Sequence, residues 1–181
     1  YANDREGKLT MDLVGNRWMW DFTRSTADAM EDYGVSRNIA YCPSNTRMNE
    51  DFIWNYSRSN RIIGYFLNIA RVDATGKTVW PRLRVPRTPE GRDNPPVPTV
   101  GNDMPPTQVL MTDVVLSNNG SNFINVRSGT ALGHHESSHV ESSEIPAGSN
   151  LGHVDGHVEW REFQDLHLRY GTGGGAPFHY W

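Results

Sequence analysis

Leu151-Gly152-His153-Val154-Asp155-Gly156-His157-Val158-Glu159-Trp160 carries the clearest structural signal in the chain. Val154, Val158 and Trp160 alternate with polar residues around Asp155-Gly156, a pair suited to the two positive-φ positions of a type I′ turn, so the stretch predicts a β-hairpin. Upstream, Gln108-Val109-Leu110-Met111-Thr112-Asp113-Val114-Val115-Leu116 predicts a strong strand. Asn122-Phe123-Ile124-Asn125-Val126 predicts a shorter one, with Asn118-Asn119-Gly120 as the turn between them. Ile62-Ile63-Gly64-Tyr65-Phe66-Leu67 reads as a further strand, and Ile39-Ala40-Tyr41 as a short one ended by the Cys42-Pro43-Ser44 turn. Met19, Phe22, Thr26, Ala29 or Met30, and Tyr33 recur at helical spacing, which predicts a helix from 17 to 33 with Gly34 just past its end. These elements predict an α+β fold, a helix packed against an antiparallel sheet.

At 181 residues the chain is expected to form a single domain spanning 1–181. Eight of its 11 prolines lie from Pro81 to Pro106, so 81–106 is expected to be a long loop with polyproline character. A linker between two domains is disfavoured, because neither flank looks able to build a sizeable core. Gly173-Gly174-Gly175 marks a flexible tail whose aromatic end, Phe178-His179-Tyr180-Trp181, is available to dock. The polar segment 1–9 reads as the frayed C-terminal end of a helix whose body lies ahead of Tyr1. With no initiator Met and no signal peptide before Tyr1, the expectation is that something has been removed.

Composition narrows the function classes. Hydrophobic residues make up 36% and charged residues 21%, with a mean hydropathy of -0.63. The 6 Trp, 7 Tyr and 6 Phe are nevertheless too many for a disordered chain, and each can bury a large area. A net charge of -4 argues against a general nucleic-acid binder. No run approaches the ~20 apolar residues that cross a bilayer. Among 17 basic residues only Lys8 and Lys77 are lysines. That bias suits an Arg–aromatic–carboxylate surface between subunits, and it equally suits a biased genomic base composition. Cys42 is the single cysteine, so no disulfide closes within the chain. It reads either as a buried free thiol or, in an exported protein, as one half of a bond to a partner elsewhere.

His135-Glu136-Ser137-Ser138-His139 formally fits the H-E-x-x-H pattern, which on a helix places two imidazoles on one face to hold zinc while the Glu polarises water. Its flanking Gly133, internal Ser137-Ser138 and following Pro146 argue against that helix and for a solvated His-rich loop. Simple metal binding by His134, His135, His139 and His153 is the milder reading. Asp113 and Asp155, at strand ends, are calcium candidates, though turn chemistry and a strand-end hydrogen bond account for them more simply. Cys42 has no His near it in sequence, so a Cys–His pair requires long-range proximity. Gly171-Thr172-Gly173-Gly174-Gly175 lacks the Lys and Ser/Thr of a phosphate-binding loop. Trp18, Trp20, Trp54 and Trp80 are candidates for a carbohydrate-stacking platform, with core or interface packing as the plainer reading.

Taken in order, several segments resemble a known family. Tyr1-Ala2-Asn3-Asp4 followed by Gly7-Lys8-Leu9 is similar to the end of the long N-terminal helix of bacterial prepilin-type proteins. Tyr41-Cys42-Pro43-Ser44 resembles the family's Cys-Pro motif. Ile63-Gly64-Tyr65-Phe66-Leu67-Asn68 resembles its Gly-Tyr-Asn strand, and Val109-Leu110-Met111-Thr112-Asp113 its strand ending in Asp. The stretch from Gly148 to Trp160, within a hairpin placed at 148–163, resembles the closing hairpin of pseudopilin-like proteins with a processing-associated C-terminal domain. That domain is named for a His ten positions before its Asp-Gly; here the position is Ile145, and the nearest upstream candidate is His139, as if residues had been inserted through Ser142-Ser143-Glu144.

The resemblance implies a pilin-like globular head whose N-terminal hydrophobic helix, cut from a basic leader by a prepilin peptidase, lies ahead of this chain. It implies a structural subunit of a type IV pilus-like or type II secretion pseudopilus-like filament, not an enzyme, with no cofactor. Its partners would be identical or related subunits and the secretion or pilus machinery, and its place extracytoplasmic, anchored in the inner membrane before assembly. Relatives carry a Cys in the helix, so the resemblance also implies that Cys42 pairs with it. Two other functions stand beside this one: a surface-displayed carbohydrate-binding module using Trp54 and Trp80, and a zinc hydrolase centred on His135, Glu136 and His139.

Overall fold

The computed structural model describes residues 12–13, 19–68, 71–72, 78–79, 109–127, 134–172 and 175–181. In chain order the elements are β1 (Asp12–Leu13), β2 (Asp21–Thr23), α1 (Arg24–Asp32), α2 (Asp51–Trp54), β3 (Asn60–Ile62), β4 (Tyr65–Leu67), β5 (Arg71–Val72) and β6 (Thr78–Val79). Then follow β7 (Val109–Asp113), β8 (Leu116–Ser117), β9 (Val126–Arg127), β10 (His134–His135), β11 (Gly148–His153), β12 (Val158–Glu162), a 3-10 turn (Phe163–Asp165), β13 (Leu168–Thr172) and β14 (Gly175–Tyr180). The expected Pro-rich loop at 81–106, the segment 1–9, Trp18 and Trp80 lie outside the described residues.

Short strands pair into several small sheets. The largest has the order β12-β11-β7-β4; β13-β14-β8 and β1-β5-β6 have three strands, and β2-β3 and β10-β9 two. Only the β1–β5 pairing is parallel among these ladders. Among the described residues the architecture is therefore mostly antiparallel β with two short helices, the sheet-rich end of an α+β fold. Among the described residues no helix is long and apolar enough to cross a membrane.

Trp20 organises the core. Its ring stacks on Phe66 with centroids 5.4 Å apart and is tilted against His135 at 5.0 Å and His179 at 5.4 Å. Phe22, Met48, Ile53, Ile62, Leu116, Phe123 and Leu151 are buried with it. Truncating one such aromatic to Ala costs about 3–5 kcal/mol, so a few large rings supply the cohesion that the polar composition withholds. The buried His179 packs against both Trp20 and Phe66, and desolvation followed by the nearby His135 pushes its pKa down to about 3.

Several elements depart from the sequence expectation, each for an identifiable reason. The helix expected at 17–33 begins only at Arg24, because Asp21-Phe22-Thr23 pairs with β3 and Thr23 becomes the N-cap, its Oγ1 accepting from the Thr26 N–H at 3.2 Å. Its end is as expected: the Gly34 N–H bonds Glu31 O, the Val35 N–H bonds Met30 O, and Gly34 has φ 87, a Schellman ending. Ile39-Ala40-Tyr41 is a turn rather than a strand, since Ala40 N–H bonds back to Ser36 O.

The run 62–67 breaks at Ile63-Gly64. Tyr41 passes so close there that a Cβ on Gly64 would lie 2.9 Å from the Tyr41 Cα, and the two halves join different sheets. The run 108–116 likewise breaks at Val114-Val115, both buried, and β8 leaves for β14. Only Val126 of the expected strand 122–126 is in a strand, β9. The tail expected to be flexible instead holds strands β13 and β14, and its end docks, with His179 and Trp181 buried. In the β11–β12 hairpin only Gly156, at φ 90, has positive φ. Gly156 N–H donates to His153 O and His153 N–H to His157 O, a three-residue connection with a left-handed Gly in place of the expected type I′ turn.

Candidate functional site

The largest sheet brings one row of side chains together. Tyr65 on β4 lies opposite Asp113 on β7, and Asn150 on β11 opposite Trp160 on β12. One step beyond the Leu151–Thr112 pair, the antiparallel register sets Asn150 against Asp113. Cross-strand partners share a face, so Tyr65, Asp113, Asn150 and Trp160 form one line across four strands.

Two loops lie over this row. In the first, Asn45 N–H bonds Cys42 O at 2.9 Å, a β-turn with Pro43 at its second position. That turn presents Cys42 Sγ and Ser44 Oγ, 3.0 Å apart. In the second, residues 140–146 form a small excursion closed by the Val140–Pro146 bridge and the Ala147 N–H to His139 O bond of 2.9 Å. His139 stands at its base with φ 56, a left-handed conformation costing on the order of 1–2 kcal/mol for a residue with a Cβ. Its N–H donates to Ser44 Oγ at 2.9 Å, which ties the two loops together.

Asp113 Oδ2 accepts from the backbone N–H and side-chain amide of Asn150, both at 2.8 Å, and lies 2.9 Å from His139 Nε2. The same His139 Nε2 lies 3.4 Å from Cys42 Sγ. Trp160 meets the His139 ring edge-on at 5.0 Å. Burial alone would raise the Asp113 pKa, but the bonds from His139 and Asn150 more than offset it and hold the carboxyl below its usual range. His139 is raised to about 10, by its bond to Asp113 first and then by Cys42, against the opposing effect of burial. Desolvation, with Cys42 and Asp113 adding to it, pushes Tyr65 up to about 12. At neutral pH the cluster therefore holds an imidazolium–carboxylate pair, a charge-assisted bond set in a largely buried place.

The arrangement differs from a nucleophile triad. There the thiol or hydroxyl uses one ring nitrogen and the orienting acid the other; here thiol and carboxylate converge on a single nitrogen. Sulfur, nitrogen and oxygen atoms gathered at one point suit a charge clamp or an ion site, not a proton relay. A second gathering of donors sits at the hairpin tip, where His153 Nε2 is 3.6 Å from Glu159 Oε1 and His157 Nδ1 is 2.5 Å from Asp155 Oδ1. Its two imidazoles stack with centroids 4.0 Å apart.

The remaining sequence candidates disperse. The H-E-x-x-H segment is not a helix. His135 ends β10 and is buried, with Nδ1 3.2 Å from the Met48 sulfur. Glu136 pairs with Arg47 at 3.3 Å. Ser137 Oγ exchanges hydrogen bonds with the Leu116 backbone, and Ser138 N–H bonds Val114 O. The serines thus peg the segment to the β7–β8 break, and His135 and His139 face different surroundings. His134 is in β10, and its side chain is outside the description. Asp113, on β7, meets β11 near its start at Asn150, while Asp155 lies in the turn beyond its end, so they do not share one ion. Trp54 is buried beneath Arg61, whose guanidinium lies 4.4 Å from its ring centroid and also bonds Asp28 at 2.7 Å. Its face is thereby unavailable to a sugar, and this Arg–aromatic–carboxylate contact is internal to the chain.

The convergence of Cys42, Asp113, His139 and Asn150 was not visible in the sequence, where no local spacing links the four. The resemblance singled out Cys42, Asp113 and His139 separately. Compared with protein-family models, with curated proteins and with solved structures, the chain finds no match.

Proposed function

We propose that the chain is the extracytoplasmic head of a type IV pilin-like or pseudopilin-like subunit, working by assembly with identical or related subunits and not by turnover. The observation that carries this reading is spatial. The segments that resemble the family's motifs, namely the Tyr41–Ser44 turn, β4, the Asp113 end of β7 and the β11–β12 hairpin, all adjoin at the single row from Tyr65 to Trp160. Polar groups in that row are engaged with one another, Asp113 with Asn150 and His139, which fits a structural role. Apolar side chains for lateral contacts are present outside the core: Tyr33, Ile39, Phe52, Val158 and Trp160 are exposed. Aromatic and large apolar residues of this kind anchor protein interfaces. In this reading a hydrophobic helix preceding the chain supplies the stalk and the membrane anchor.

The test is made on the full gene product in its own cells. A photo-crosslinking amino acid at Phe52 or Val158 is expected to give a ladder of multimers of the same or related subunits in the surface-filament fraction. The sequence ahead of Tyr1 is expected to encode a basic leader and a hydrophobic helix. A polar upstream segment, or exclusively monomeric protein after crosslinking at both sites, overturns the assignment.

A further inference from the structure

We propose that Cys42 Sγ, His139 Nε2 and a carboxylate oxygen of Asp113 form a binding site for one divalent transition-metal ion of the zinc class. The three donor atoms lie within 4.8 Å of one another. Nε2 is 2.9 Å from Asp113 Oδ2 and 3.4 Å from Cys42 Sγ. Around tetrahedral zinc, with Zn–S about 2.3 Å and Zn–N or Zn–O about 2.0–2.1 Å, neighbouring donors stand roughly 3.3–3.6 Å apart. The two edges that meet at Nε2 thus come within about half an ångström of the tetrahedral values, and the sulfur–carboxylate edge is no longer than 4.8 Å, before any ion is present. One N–H cannot point at both the sulfur and the carboxylate, whereas a cation among the three atoms satisfies all of them at once. Thiolate, imidazole and carboxylate together also select zinc-like ions over calcium or magnesium, which take oxygen donors.

The supporting shell is already built. Asn150 holds the carboxylate through two N–H donors, Ser44 Oγ meets both Cys42 Sγ and the His139 N–H, and Trp160 packs on the imidazole edge. Such contacts fix ligand orientation and normally change metal affinity by about 10–100-fold when removed. Cys42 and Asp113 are buried while His139 is partly exposed, so the fourth position opens on the His139 side and would take water. On binding, the thiol proton and the Nε2 proton leave to solvent as the two metal–ligand bonds form. This occupancy and a disulfide from Cys42 to another cysteine exclude each other.

The experiment titrates the chelator-treated 181-residue chain with cobalt(II) and then competes it with zinc(II). One cobalt per chain is expected, with a near-ultraviolet sulfur-to-cobalt band and visible bands of a tetrahedral ion, displaced by one equivalent of zinc. Cys42→Ser, nearly isosteric, should remove the sulfur band and weaken binding at least about tenfold while leaving the circular dichroism spectrum unchanged. His139→Gln should weaken binding similarly, and the double variant His153→Ala/His157→Ala should leave the sulfur band intact. Absence of a sulfur band at cobalt excess, a band that survives in Cys42→Ser, or Cys42 found in a disulfide in protein taken from its own cells each overturns the proposal.

Discussion

The β11 strand carries a cluster of donor side chains at each end, and the two behave differently. At its start, Asn150 anchors Asp113, His139 and Cys42 in a largely buried cluster; at its finish, His153, His157 and Glu159 gather around an exposed turn. A register shift between Gly152 and His153 separates the two. The inner cluster draws on four separate segments of chain, so its geometry is set by tertiary packing and its donors aim at one point. The tip cluster comes from seven consecutive residues. Its imidazoles are stacked, 10° apart in plane, and His157 Nδ1 is committed to Asp155. Both clusters bring ligand-type residues close together, so proximity alone is a weak sign of a site; a buried setting assembled from distant segments is the stronger one.

The sharpest way to separate the two clusters is to delete an acid from each. Asp113→Ala removes a buried carboxylate that holds His139 and both Asn150 donors, and should cost about 3 kcal/mol in urea unfolding. Asp155→Ala, at the exposed tip, should leave the urea midpoint where it was. Equal shifts would mean that the buried and the exposed cluster hold the fold alike.

Next in size is Gly148→Ala. A Cβ there would lie 2.2 Å from the Arg161 carbonyl oxygen and 2.7 Å from the Trp160 ring, so β11 and β12 must part at the end that serves the inner cluster. A loss of about 2 kcal/mol is expected, with increased amide exchange from 148 to 151 and less change at the tip. Exchange rising uniformly along the hairpin would show that its two ends are not independent.

A pH series sharpens the comparison further. In the metal-free chain His139 is raised on folding, so its pairing with Asp113 stabilises the fold fully below about pH 6.5 and progressively less as the pH climbs towards 10. Asp113 is lowered, so its share is present above about pH 4 and lost as the pH falls below that. Urea midpoints should decline from pH 6.5 to 10, and His139→Gln should flatten that slope. The smallest effect is expected from Trp160→Ala, about 1 kcal/mol from the lost edge contact with His139 and the exposed side of β12.

What the sequence made legible follows from how local the cause was. The β11–β12 hairpin was readable because alternation and Asp155-Gly156 lie within a single stretch, although only Gly156 took positive φ. The Gly34 helix ending was readable for the same reason. The breaks at Gly64 and at Val114-Val115 were not, because uniformly apolar runs have no periodicity to mark where a strand changes sheets; Tyr41, twenty-three residues away, makes the first of them. The H-E-x-x-H pattern misled in the opposite direction. It named His139 as a ligand-type residue but set it with His135, while the fold gives His135 to the Trp20 core and His139 to Cys42 and Asp113. Ser137 between them carried the better hint, since its hydroxyl bonds the Leu116 backbone across a strand break.

The excursion at 140–146 is stitched shut at its base, where Ala147 bonds back to His139 and Val140 faces Pro146. His139 is thus held by bonds at the base that the residues of the rim do not make. Residues added to or trimmed from 141–145 are therefore expected to leave His139 in place, which gives this surface freedom to drift in length.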